Sequence, residues 1–287
     1  MNNTERKVLT LDEMRIGAPS IFADAKHESR SDKYERFPTI DVVDLLGREK
    51  WLPVEAHEQK VNDSRKGFQQ HIIKFWNEKT IATANGGMLK DTFELILSNS
   101  NDGTSAFCMT AGIYRLVCSN GLVVGSERYS ISVKHIGNTA RDVLSASLKV
   151  ANESASVMKQ VDRFKAIGMN EDERKIFAES ALKLRYNDDG DPDGENDAAA
   201  EQAAGLPVKT RFDFNDLLTP RRNADTDKNL WTTYNVVQEN LLKGSRRRLY
   251  TNKGFKKMRA VKGIAQDMKL NKSLWLLTSK MAELKKQ

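Results

Sequence analysis

The sequence predicts an α+β fold: an antiparallel, hairpin-connected sheet followed by a long packed helix, with a helical, basic C-terminal part. Three observations predict it. Residues 51–135 contain short runs rich in β-branched and aromatic residues, punctuated by Asp102-Gly103 and Asn120-Gly121, dipeptides that supply the positive φ of tight hairpin turns. Residues 139–164 repeat apolar side chains at every third or fourth position, which is one face of a helix. The stretch LLKGSRRRLYTNKGFKKMRAVKG, residues 241–263, holds nine Lys or Arg and no Asp or Glu.

The elements follow in order. IFADAKHESRSDKYERFPTI reads as an ordered loop or short strand ending at Pro38. In DVVDLLGREK, Val42, Val43, Leu45 and Leu46 form the apolar side of a short helix, and Gly47 is its stop. WLPVEAHEQKV, FQQHIIKFW and DTFELILSNS are strands, the last with Phe93, Leu95 and Leu97 on one face. FCMTAGIYRLVCSNGLVVGSERYSISVKHIGN continues the sheet, with Asn120-Gly121 as a second hairpin turn and Ile131 and Val133 alternating with polar neighbours. Asn138 or Thr139 is placed to cap the next helix by accepting from its free amide groups. Val143, Ala146, Val150, Ser154, Val157, Val161 and Phe164 then mark one face of a helix of roughly seven turns. MNEDERKIFAESALKLRY is a further helix, with Ile176, Phe177, Ala181 and Leu184 on its apolar side. Residues 187–205 carry seven acids and no base, with Gly and Pro, the composition of a solvated linker. Leu230, Tyr234, Val237 and Leu241 mark a helix ending near Gly244, and SLWLLTSKMAEL a short final one. The domains expected are a sheet-and-helix domain over 1–186, an acidic linker over 187–207 and a helical basic region over 208–287.

Composition excludes several classes. The net charge is +7 over 287 residues, and without residues 241–263 the chain sums to −2, so its basic character is local. No run approaches the ~20 apolar residues of a membrane span, and MNNTERKVLT lacks the apolar core of a secretory signal. Cys108 and Cys118 form no disulfide framework and fit a reducing cytoplasm, that of a bacterium or an infected host cell. His27, His57, His71 and His135 lack the close pairing of a metal site. No metal and no cofactor is expected.

KHESRSDKY, FPTI, YRLVCSNGLVVG, NLWTTYNVVQENLLKG and NKSLW together resemble the phage- and plasmid-borne family filed as domain of unknown function 932, from about residue 20 to residue 278. The resemblance implies carriage by phages, plasmids and integrated elements. It implies no activity and no catalytic residue, and it leaves the acidic block as a variable linker.

The chemistry therefore has to come from the residues. Arg246, Arg247 and Arg248 are adjacent, and Lys253, Lys256, Lys257, Arg259 and Lys262 follow. Such a cluster displaces counterions from a phosphate backbone, and the interleaved Tyr250 and Phe255 can stack on unpaired bases. A solvated loop without a partner is the plain alternative. An anionic membrane is not supported, because the run has no amphipathic apolar face. The element order, hairpins and then one long helix, is shared with strand-annealing proteins of the Rad52 and phage recombinase type. That analogy suggests a cationic groove between sheet and helix lined by Arg115, Arg128, Lys134 and Arg141, although each alone is also an ordinary strand-edge charge. The expected function is non-enzymatic binding of nucleic acid, single-stranded DNA in particular, with strand annealing and recombination as its use and a homo-oligomer as a suitable assembly. The alternatives are an interaction or inhibitor protein acting on a host factor, and a metal-dependent nuclease using His135, Asn138 and Asp142, or Asp91 and Glu94. The nuclease reading lacks a second histidine in one case and the usual lysine in the other. The acidic block could compete with phosphate for the basic cluster, with a plain linker as the simpler reading.

Overall fold

The computed structural model describes residues 7–30, 33–34, 38–85, 91–115, 120–124, 129–133, 140–185, 214–244, 249–251, 254–256 and 258–285. The protein is α+β and divides into two compact units, Met1–Met158 and Lys159–Gln287. The division falls earlier than the expected boundary at 186, because the helix that follows it packs with the C-terminal helices.

In the first unit β1 (Trp51–Glu58), β2 (His71–Asn77), β3 (Asp91–Asn99) and β4 (Phe107–Arg115) form an antiparallel meander. Two short strands, β5 (Asn120–Val123) and β6 (Ser130–Val133), share the far edge of β4. Asn120 and Gly121 pair with Arg115 and Tyr114. They therefore lie inside β5; residues 116–119, between the two strands, are outside the described residues. Asp102-Gly103 does form a turn, with Gly103 at φ 67 and Asp102 accepting from the Thr104 amide. On one face, Ile73, Phe75, Leu95, Leu97, Met109, Ala111 and Ile113 are buried. Helix α2 (Thr39–Arg48) packs along β1, and α4 (Ala140–Asn152) along β4 and β6. The alternate set of side chains, Val54, Trp76 and Tyr114, clusters with Ile81 of α3 (Glu78–Asn85). A seven-residue α1 (Leu11–Gly17) precedes all this, with a capping box from Thr10 and Glu13. No helix among the described residues is long and apolar enough to cross a membrane.

The expected seven-turn helix is two helices, α4 and α5 (Ser154–Ala166). The break is at Glu153, whose amide donates to the Val150 carbonyl, one residue short of the α-helical spacing, at 3.2 Å, while its carbonyl already accepts from Val157 at 3.0 Å. Asn152 and Ser154 flank it, residue types that draw the backbone away from helical bonding.

The second unit is built on α6 (Glu171–Arg185), α7 (Phe214–Leu218), α8 (Leu230–Lys243) and α9 (Ile264–Leu284). α6 buries Phe177, Ala178, Ala181 and Leu182. Ile176 and Leu184, expected on that face, are exposed, because the buried stripe centres on Ala181, where small side chains admit neighbouring helices. α9 runs 21 residues, well beyond the expected short helix. Within the basic stretch, expected to be part of a helical region, β7 (Leu249–Thr251) and β8 (Gly254–Lys256) pair as a two-stranded antiparallel ribbon.

Candidate nucleic-acid interface

The ribbon follows α8 in the chain, and that helix is anchored by polar groups as well as apolar ones. Asn229 caps α8, its side chain accepting from the Thr232 amide at 2.8 Å. Every residue from Leu230 to Leu241 is buried, polar ones included. Trp231 stacks on Tyr234 at 5.5 Å, and both meet Trp275 edge-on at 6.4 and 6.2 Å. Burial, and then Asp267 nearby, push the Tyr234 phenol far above its ordinary value.

The polar residues of α8 are bonded to the segments around it. Asn240 Nδ2 donates to the carbonyls of Asp216, Leu217 and Thr219 at 3.2, 3.0 and 3.0 Å. Arg222 makes a fork to both carboxylate oxygens of Glu239, each at 2.6 Å, and Lys243 adds a third contact at 2.7 Å. Burial works to raise the Glu239 carboxyl, but the hydrogen bonds from Arg222 and Lys243 outweigh it and hold the group below the usual carboxylate value.

The segments at 241–244 and 258–261 are held together by a close backbone approach and by hydrogen bonds. Gly244, the last residue before the ribbon segment, adopts φ 81 and ψ 168, a region open essentially to glycine alone. A Cβ there would lie 2.2 Å from the Met258 carbonyl oxygen. Val261 donates its amide to the Leu242 carbonyl at 2.8 Å. Arg221 donates from Nε to Asn240 Oδ1 at 2.7 Å and from Nη2 to the Gly244 carbonyl at 2.6 Å. Arg185 donates from Nη1 to the Leu241 carbonyl and from Nη2 to the Arg259 carbonyl at 2.5 Å. Chain entry at 244 and chain return at 258–261 are thus held side by side.

The register places Tyr250 opposite Phe255 and Leu249 opposite Lys256. Arg259 and Lys262 are exposed on the returning chain. Arg246, Arg247, Arg248, Lys253 and Lys257 lie outside the described residues, as do Arg128 and Lys134 of the expected groove. Arg141 is on the first turn of α4. Arg115 is buried at the end of β4, its Nε 3.6 Å from Asp91 across the ladder. That pair also commits Asp91, one of the two carboxylates considered for a nuclease. The other, Glu94, is fully buried and accepts from Trp76 Nε1 at 3.2 Å. His135, Asn138 and the acidic block lie outside the described residues, and Asp142 falls within α4. Among the described residues no group of three His, Cys, Asp or Glu could hold a metal ion.

Sequence reasoning missed Arg185, Arg221 and Asn240. Their signal was faint: NLWTTYNVVQENLLKG carries polar residues on every side of a helix, which makes sense only if the helix is buried and its polar groups are satisfied. In KHESRSDKY, His27 Nδ1 lies 2.9 Å from Ser29 Oγ, and Tyr34 OH ties the segment to the sheet by donating to the Ser100 carbonyl at 3.0 Å.

Comparison with known proteins bears on these segments. Residues 26–275 match the family model described as Domain of unknown function (DUF932). The UPF0380 proteins YafZ and YfjQ of Escherichia coli (strain K12) are each 33% identical to this chain over 270 residues, spanning 94% of it and 90% of each relative. No solved structure matches. With the matched region running from the loop before α2 into α9, the chain belongs to the DUF932 family.

Proposed function

We propose that this chain binds nucleic acid, single-stranded DNA in preference to duplex, through the basic ribbon, and that it serves a phage, plasmid or other mobile element in strand annealing. One observation carries the reading. Nine cations without an acid fall in residues 241–263, and within that stretch Leu249–Thr251 and Gly254–Lys256 pair as an antiparallel ribbon. Cations clustered in this way offer dense positive charge to a polyanion, and binding releases its counterions. Tyr250 and Phe255, partners in the ladder, are candidates to stack on bases that a single strand leaves unpaired.

Salt titration tests this. About five single-strand phosphate contacts give a log–log slope near −3.5, roughly a hundredfold loss of affinity between about 50 and 200 mM salt. A gel shift with single- and double-stranded oligonucleotides should show the single strand retained more tightly. The variant with Arg246, Arg247, Arg248, Lys256 and Lys257 changed to Ala should lose the shift. If the protein leaves oligonucleotides unbound in dilute buffer, or the variant binds like wild type, the reading fails.

A further inference from the structure

We propose that the outer face of α9 is a second contact surface for a nucleic-acid backbone, with Lys269, Lys272 and Lys280 as its phosphate-binding cations. The inference rests on the reading above for the class of partner, and it adds a surface that lies wholly on α9 and does not depend on the ribbon.

The inner side of α9 fixes its rotation. Leu270, Asn271, Leu274, Trp275, Thr278 and Ala282 are buried, and Trp275 meets Phe164 edge-on at 5.3 Å. A helix turns by about 100° per residue, so Lys269, Lys272, Leu276 and Lys280 fall within an arc of about 80° on the opposite side. Their exposure agrees: Lys269, Leu276 and Lys280 are exposed and Lys272 is half-buried. From Lys269 to Lys280 the helix rises by about 16 Å, so the cations follow a line and not a point.

Acids are kept off the middle of this face. Asp267 is turned toward the buried side, its carboxylate accepting from Asn271 Nδ2. Glu283 stands at the far end, 3.5 Å from Lys280, with both side chains well exposed, and such a pair is weak. Lys269 makes no ion pair among the described residues. Other exposed cations of the same unit do meet acids: Lys183 with Glu179 at 3.8 Å, Lys228 with Glu171 at 3.0 Å and Lys285 with Glu173 at 2.7 Å. The outer face of α9 thus carries a net positive row, the complement of a strand's line of phosphates. Side chains on a packed helix also give up less freedom on binding than those on a chain that must first be ordered.

Salt titration with a single-stranded oligonucleotide tests this on the full chain. The triple variant Lys269→Gln, Lys272→Gln, Lys280→Gln keeps good helix formers and removes three cations. Its log–log slope should be shallower than that of wild type by about 2, with affinity lower by on the order of a hundredfold at about 50 mM salt. The corresponding triple Lys→Arg variant keeps the charge and should bind with the wild-type slope. If the triple Gln variant does not fold, Lys269→Gln with Lys280→Gln, both at exposed positions, should reduce the slope by about 1.4. Wild-type affinity and slope in these Gln variants, with binding lost in the ribbon variant, overturn the inference and leave the ribbon reading standing. Weakened binding in the Gln variants alone supports α9 and overturns the ribbon. Polyglutamate displacing the oligonucleotide as well as unlabelled strand does would mark a general acidic partner and overturn the inference. Absence of binding by the unaltered protein overturns both readings.

Discussion

His71 sits in the first unit with its Nδ1 2.9 Å from Ser20 Oγ and its Nε2 2.9 Å from Thr39 Oγ1. Asn99 donates to the same Thr39 hydroxyl, and Asn101 donates to the Ser20 carbonyl. The group is fully buried, so it ties the N-terminal segment and α2 to the sheet and offers no access to a substrate. Burial lowers the His71 imidazole to about 4, against an opposing hydrogen bond with the Gln69 backbone. Between that value and the ordinary one near 6.5 the unfolded chain holds a proton that the folded chain does not, so stability falls as pH falls through this window. The full loss is ~3 kcal/mol. Urea midpoints of wild type at neutral pH and near pH 4 should differ accordingly, and His71→Asn should flatten the difference. A midpoint insensitive to pH in that range would refute the assignment.

Tyr234 provides a second test at a single residue. Its hydroxyl is buried and meets no hydrogen-bond partner among the described residues. Removing a buried, unsatisfied polar group relieves a desolvation penalty of ~1–3 kcal/mol. Tyr234→Phe should therefore raise the unfolding midpoint, or at worst leave it unchanged, since the ring contacts with Trp231 and Trp275 survive. A clear loss of stability would reveal a partner for the hydroxyl.

At the scale of elements, α8 is the organising piece of the second unit. A helix buried on all sides is ordinarily apolar on all sides, yet this one carries Thr232, Thr233, Asn235, Gln238, Glu239 and Asn240. Asn240 anchors the residues around α7 through three carbonyls, and Gln238 donates to Asn271 of α9 at 2.9 Å. Asn240→Ala should cost ~2–3 kcal/mol, because the buried acceptors lose their donor. Hydrogen exchange should speed up in α7 before it does in α6. Equal protection of α7 in wild type and Asn240→Ala would mean that apolar packing alone holds α7 in place. Helix and strand content was legible here to different degrees. The repeat of Leu230, Tyr234, Val237 and Leu241 announced α8, while the ribbon strands, three residues each, are too short for an alternation to register.

For the whole molecule, charge is concentrated. Replacing Arg246, Arg247, Arg248, Lys253, Lys256 and Lys257 by Ala lowers the net charge from +7 to +1. Retention on a cation exchanger should collapse. Removal of six cations scattered over the helices should shift it far less, because clustered charges act on a surface together within a Debye length. Similar elution of the two variants would show that the cluster is masked in the folded chain.

The local code was enough for the hairpin-connected sheet and the helices. Period-two alternation and Asp-Gly turns act between residues close in sequence, and so does the recurrence of Val143, Val150, Val157 and Phe164. The cationic cluster was equally plain, being composition alone. What only the tertiary structure decided are the long-range polar contacts, the Arg185 fork across Leu241 and Arg259 and the buried Arg115–Asp91 pair, together with the break at Glu153 that an unbroken apolar period concealed. The reason is physical. Apolar periodicity records which side of an element is buried, whereas a hydrogen-bond partner is chosen by distance and direction in the folded chain, and neither is encoded in spacing along it.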